Sequence, residues 1–233
     1  MTELPLPCEG VVHDLESILR HLTEQTKIMG PQEMEKVFLA AFEEVPHSEV
    51  VIRWMDYMES KVDEGELDLS AMKCVARHAA STCGLDVELG HKVWDKYLSF
   101  LLEEFEDETD TGAREALKAE VFWYYRTRLA EPLVGNEDCL AGMENVLHQL
   151  GCVEESHVAA LGLEAISAAY QEAMQARLPR LVLEDAVQSA IRAKDETALW
   201  QATWNYLCFE GGRQGRPVRE RRLWERATLH LRG

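Results

Sequence analysis

Apolar residues recur three and four apart almost from end to end of this chain, and that spacing confines it to one kind of secondary structure. Met34, Val37, Phe38, Ala41, Phe42 and Val45 fall at i, i+3, i+4, i+7, i+8 and i+11, the stripe of an amphipathic helix. Leu15, Ile18, Leu19 and Leu22 repeat the pattern before it, and Trp94, Tyr97, Leu101 and Phe105 after it. No stretch keeps the period-two alternation of a strand between hairpin turns. Gly and Pro fall between the periodic segments. Gly30-Pro31 reads as a C′ glycine followed by a proline at N1 of the next helix. Pro46 and Gly84 read as later stops, and Ser48 as an N-cap. About eleven helices follow from these signals. They include a first over about 11–27, a fourth over about 69–82, a sixth over about 113–130 and a seventh over about 136–150. An eighth, over about 154–177, is ended by Pro179, with a short one over about 181–194 and a last over about 217–231. The expected fold is all-α, a right-handed solenoid of about five to six antiparallel helix pairs.

Composition narrows the function classes. No apolar run approaches the ~18 residues of a membrane span, and Met1-Thr-Glu-Leu-Pro5 is not the start of a signal peptide. The six cysteines show no CxxC spacing, which reads as free thiols in a reducing compartment. The net charge of −18 is unevenly placed: residues 213–233 hold seven Arg and two Glu, a net +5, which leaves −23 on the first 212 residues. An acidic body opposes bulk contact with a phosphate backbone. There is no Walker A loop, no GxSxG and no HExxH, so an enzyme is not expected. No cofactor is implied.

Two motif types alternate along the helices. One is Trp54-Met-Asp-Tyr57-Met-Glu59, echoed by Trp94-Asp-Lys-Tyr97 and more loosely by Trp200, Tyr206, Phe209 and Glu210. The other is Val37-Phe38 with Ala41 and Pro46, then Tyr125-Arg-Thr-Arg-Leu-Ala-Glu-Pro132, then Leu223-Trp224-Glu225-Arg226-Ala227. The tetratricopeptide pattern requires a small residue where bulky ones stand here. The alternation resembles instead the half-a-tetratricopeptide (HAT) repeat, and residues 1–233 are expected to form a single HAT array. Two departures stand out: residues 138–150 have no Trp or Tyr, and Val75-Ala-Arg-His-Ala79 replaces the Glu-Arg-Ala triplet.

The order from Tyr125 to Ala227 is further similar to the family of U4/U6 small nuclear RNP recycling factors. There, an acidic helix, a long Ala-rich helix, a Phe-Glu-ending helix and an aromatic-Glu-Arg-Ala helix follow in turn. That resemblance implies a nuclear, non-enzymatic scaffold in pre-mRNA splicing, which assists U4/U6 snRNP assembly. It implies spliceosomal or snRNP proteins as partners and RNA contact mainly through RNA-recognition motifs beyond these residues, of which this chain would be the N-terminal array. A homodimer is not predicted. Two alternatives stay open: a HAT scaffold of another assembly (spliceosome core, rRNA processing or mRNA 3′-end formation), and a TPR-like co-chaperone adaptor, which the acidic body disfavours.

Candidate sites divide into structural and binding sets. Phe38, Pro46, Trp54, Tyr57, Glu59, Trp94, Tyr97, Tyr125, Pro132, Trp200, Phe209, Trp224, Glu225 and Arg226 read as repeat-motif residues. The aromatics among them, with Trp123, read as helix packing in preference to a base-stacking platform. Cys74, His78 and Cys83 lack the paired spacing of a zinc site. The acidic run Glu103, Glu104, Glu106, Asp107, Glu108 and Asp110 lacks the ligand order of an EF-hand and reads as a solvated loop. Arg213, Arg216, Arg219, Arg221 and Arg222 are the candidates for contact with RNA or an acidic partner; cations near a helix start oppose its macrodipole, so helix stability does not account for them.

Overall fold

The computed structural model describes residues 15–45, 47–152 and 162–212, together with 220, 221, 223 and 224. Among these residues the structure is all-helical and contains no strand. The helices are α1 (Leu15–Gln25), α2 (Pro31–Glu44), α3 (Ser48–Asp63), α4 (Leu69–Cys83), α5 (Gly90–Asp107), α6 (Thr111–Leu129), α7 (Asn136–Gln149), α8 (Leu163–Ala193) and α9 (Glu196–Gly211). Each packs on a neighbour in sequence, α1 also meets α3, α3 meets α5, and α8 reaches back to α6.

The stripes that predict the helices are the surfaces that they bury. Met34, Phe38 and Ala41 of α2, Val50, Trp54 and Tyr57 of α3, and Val93, Trp94, Tyr97 and Leu101 of α5 line one core that runs on through α7 to Ile166 of α8. A second, smaller cluster joins Val187 and Ala190 of α8 to Leu199, Ala202, Tyr206 and Leu207 of α9, with Leu223.

The loops fall at two ends of the bundle. At one end, Asp86 accepts from the amides of Glu88 and Leu89 and from the Ser48 hydroxyl at 2.8 Å, tying the α4–α5 loop to the start of α3. The Val134 amide donates to Val87 O, which adds the α6–α7 loop to the same end. At the other end, α3 stops at Gly65 (φ +73°), where the amides of Gly65 and Glu66 return to the carbonyls of Val62 and Lys61.

Three local readings are corrected. Pro179 does not end a helix: α8 runs through it for 31 residues. The missing N–H leaves the Gln175 carbonyl without its intrahelical donor, but Gln175, Leu178 and Pro179 are all exposed, so the ring and the freed carbonyl face solvent. The two helices expected on either side of Pro179 are therefore one. Gly30 is not a left-handed C′ residue but the extended N-cap of α2 (φ −77°, ψ 167°). The N-cap of α3 is His47, whose Nδ1 accepts from the Glu49 amide at 3.2 Å, while Ser48 is the first helical residue. Pro46, Glu225 and Arg226, the segment 153–161, and Arg213, Arg216, Arg219 and Arg222 lie outside the described residues.

Candidate partner-binding surface

The first Trp–Tyr pair is interior. Trp54 stacks on Phe38 with ring centroids 6.0 Å apart and planes 12° from parallel, and Tyr57 meets the same ring at 6.0 Å. The Tyr57 hydroxyl donates to Met29 O at 3.1 Å, pinning α3 to the α1–α2 turn. Glu59 and Asp56 share the ammonium of Lys96 at 2.7 and 2.8 Å, so the acidic residue after the Trp–Tyr pair binds α3 to α5.

The second pair is more deeply set. Trp94 touches Tyr97, Trp123 and Tyr124, with centroids 6.3, 5.8 and 5.6 Å away. Its indole N–H donates to Gly84 O at 3.0 Å, whereas the Trp54 Nε1 has no partner among the described residues. Tyr97 donates to the carboxylate of Glu120, which also faces Arg77 at 3.4 Å. Burial, reinforced by that carboxylate, pushes the Tyr97 phenol far above its ordinary pKa.

The Tyr125–Pro132 stretch ends α6 with a buried cation. Arg128 donates to Asp95 of α5 and to the Tyr124 hydroxyl, and its guanidinium lies 5.6 Å from the Tyr124 ring. Asn136 Nδ2 donates to Glu131 O at 2.7 Å and to Arg128 O at 3.4 Å, so the carbonyls left over at the end of α6 are satisfied from the start of α7. Tyr125, Leu129, Pro132 and Leu133 are buried around this joint.

The two candidate metal sets are dispersed or otherwise engaged. Cys74 and His78 are exposed on α4, while Cys83 is buried. Among the described residues no three His, Cys, Asp or Glu side chains gather as a metal group. In the acidic run, Glu104 pairs with Lys73 at 2.8 Å, Glu106 accepts from Gln149, and Asp110 caps α6 through the Ala113 amide. Arg114 closes the C-terminus of α5, donating to the carbonyls of Phe105 and Glu108.

Two features of the surface remain. A groove of about 290 Å³ opens between α1, α2 and α3; Leu22, Phe38 and Tyr57 line it with the charged side chains of Arg53, Asp56, Lys61 and Glu64. The other is α9. Trp200 and Trp204 are 46% and 54% exposed, and Trp224, 38% exposed, meets Trp200 edge-on at 5.6 Å. Trp200 and Trp224 thus pack on one another at the surface, unlike Trp54 and Trp94. Phe209 is half-buried beneath the Arg180 guanidinium. Arg221 is exposed beside this patch in sequence.

Sequence reasoning missed the pair that holds α9 in place. Arg180 gives two parallel hydrogen bonds to Glu210, Nε to Oε1 at 2.5 Å and Nη2 to Oε2 at 2.7 Å, with both side chains buried. Burial opposes the charge on Arg180 and the Glu210 carboxylate more than offsets it, leaving the guanidinium pKa raised. Its only sequence signal was a charged residue on the apolar stripe of each helix. No family model and no curated protein matches the chain. No helix among the described residues is long and apolar enough to cross a membrane.

Proposed function

We propose that this chain is a non-enzymatic HAT-repeat scaffold, a right-handed solenoid of antiparallel helix pairs that binds protein partners in pre-mRNA splicing as part of a nuclear U4/U6 snRNP assembly or recycling factor. The observation that carries the reading is the reuse of one packing device. In α3 and again in α5, a Trp and a Tyr one turn apart enter the core, and the Tyr hydroxyl is spent on a neighbouring turn or helix. The neighbour pattern supports it too: α1 meets α3 and α3 meets α5, as in arrays whose first helices stack on one another. Aromatic residues spent on internal packing leave function to the exposed side chains between them.

The experiment is capture from nuclear extract with and without nuclease. A scaffold retains spliceosomal or snRNP proteins after nuclease treatment. Loss of every specific protein on nuclease treatment, or retention only of proteins unrelated to RNA processing, overturns the proposal.

A further inference from the structure

We propose that α9 is an exchangeable element: it leaves its own α8 and takes the same seat on α8 of a second copy of this chain, making a domain-swapped dimer. This goes beyond the scaffold reading and does not rest on it.

The hinge carries the argument. Among the described residues a positive φ falls on Gly65, Gly135, Gly151 and Gly162, and on one residue with a side chain, Lys194 (φ 52°, ψ 36°). Lys194 is the turn between α8 and α9: Asp195 is already the N-cap of α9, and its amide returns to Ala190 O at 3.1 Å. A Cβ makes the left-handed conformation costly, and no breaker residue demands a stop here. From Arg180 to Glu210 there is no Gly and no Pro. Returned to a right-handed φ, Lys194 would lose its strain and run α8 straight on into α9. Short strained hinges favour exchange over closure in this way.

The seat names the partner. Helix α9 packs on α8 and on no other described helix to a comparable extent. Its cluster is separate from the larger core, so opening the hinge leaves that core as it is. It bares Leu199, Ala202, Tyr206 and Leu207, together with the Glu210 carboxylate. Covering them again takes an apolar helix face with an arginine fork placed to meet Glu210, as Arg180 does at 2.5 and 2.7 Å. A second copy offers that face unaltered, because its own α9 has left it. Every contact of the closed pair is then remade between the chains, and two strained turns are removed. Charge does not oppose the exchange at the seat: α9 has no charged side chain from Thr197 to Phe209, and Glu210 meets a cation. The hinge lies fourteen residues beyond Arg180. Two straightened helices laid antiparallel would therefore hold their Arg180 side chains about 40 Å apart, with the two larger cores at opposite ends.

The test is charge exchange in the full chain. Arg180→Glu and Glu210→Arg are made in separate copies carrying different affinity tags. Alone, each sets like charges against one another, in the closed form and in a swapped homodimer alike. Co-expressed, they are satisfied in both seats only by a swapped heterodimer, with the reversed pair in one seat and the parent pair in the other. Purification through both tags should yield a dimer by light scattering, and two copies that both carry Arg180→Glu should not copurify. Absence of the heterodimer, with the double variant Arg180→Glu, Glu210→Arg folded, overturns the proposal. Equal copurification of the like-charged copies also overturns it, because the contact would then lie elsewhere. A second arm stands whether or not the reversed charges are tolerated. The parent chain, refolded from urea at rising concentration, should form a dimer. Lys194→Gly, which relieves the closed turn in both copies, should lower the association constant about ten-fold. A parent that stays monomeric, or a glycine variant that dimerises as readily, overturns the proposal. None of these outcomes bears on protein capture from nuclear extract, so the two proposals fail separately.

Discussion

A methyl group added at Gly84 would overlap the Ala80 carbonyl oxygen and the Trp94 indole nitrogen, and would lie 2.9 Å from Trp94 Cε2. Two of those atoms are fixed: one is helix backbone, and the indole is held by its own hydrogen bond to Gly84 O. Gly84→Ala should therefore destabilise the protein by about 1–3 kcal/mol through overpacking, read as a lower urea midpoint at unchanged slope; an unchanged midpoint would show that the indole is not held as described. The buried phenols give a pH prediction. Burial raises the pKa of Tyr97, Tyr124 and Tyr125, with Glu120 adding to it at Tyr97 and Arg128 partly offsetting it at the other two. Above about pH 10, the ordinary phenol value, the unfolded chain has lost these protons and the native chain has kept them, so stability falls as pH rises. Phenolate absorbance from these three residues should appear together with alkaline unfolding; early titration in the folded state would refute it. At this scale the sequence was legible where chemistry is local. The Trp–Tyr pairs announced their shared face by spacing alone. Arg128 with Asp95 and Arg180 with Glu210 did not, because their partners sit on other helices and only tertiary packing brings them together.

Helices declared themselves through their stripes, and their ends did so less well. Ser48 looks like a cap, but His47 reaches the Glu49 amide and Ser48 is engaged by Asp86, a residue with no sequence mark as its partner. Pro179 has the strongest stop signal of all and is helical nonetheless. A proline breaks a helix by withholding a donor and crowding a carbonyl; when that flank faces water, packing on the other flank prevails, here Ala176 and Arg180 on either side of it. Pro179→Ala would restore the N–H to the Gln175 carbonyl at an exposed site. It should stabilise by about 1–2 kcal/mol, the gain in helix propensity less the lost restriction of the unfolded chain, measured by urea unfolding. A loss of stability would instead mean that the proline itself seats α8 in both of its neighbourhoods.

At the scale of the molecule, among the described residues, one hydrophobic core occupies α1 to α7 and the start of α8, and a smaller one the α8–α9 pair. The all-helical class was legible from periodicity. This division was not, since no shift in composition marks the boundary, which falls inside a helix. Regions with fewer buried apolar contacts open at lower free energy. Native-state hydrogen exchange should thus show α9 and the second half of α8 exchanging through cheaper openings than α3, α5 and α6; uniform protection would contradict it. Charge is unevenly used along the helices: Glu59, Glu104 and Asp110 are engaged in bridges and a cap around α3–α6, whereas α9 has no charged side chain from Thr197 to Phe209.

Among the described residues none belongs to both clusters, and one helix, α8, runs through both. The molecule is in that sense severable. A chain cut after Leu178 keeps every side chain of the larger core, together with the Arg177–Glu137 bridge that anchors α8 to α7. Such a piece should be expressed, remain helical by circular dichroism and unfold cooperatively, while the remainder should not fold alone. If the shortened piece proved molten, the long helix would be a strut that both halves require and not a seam between them.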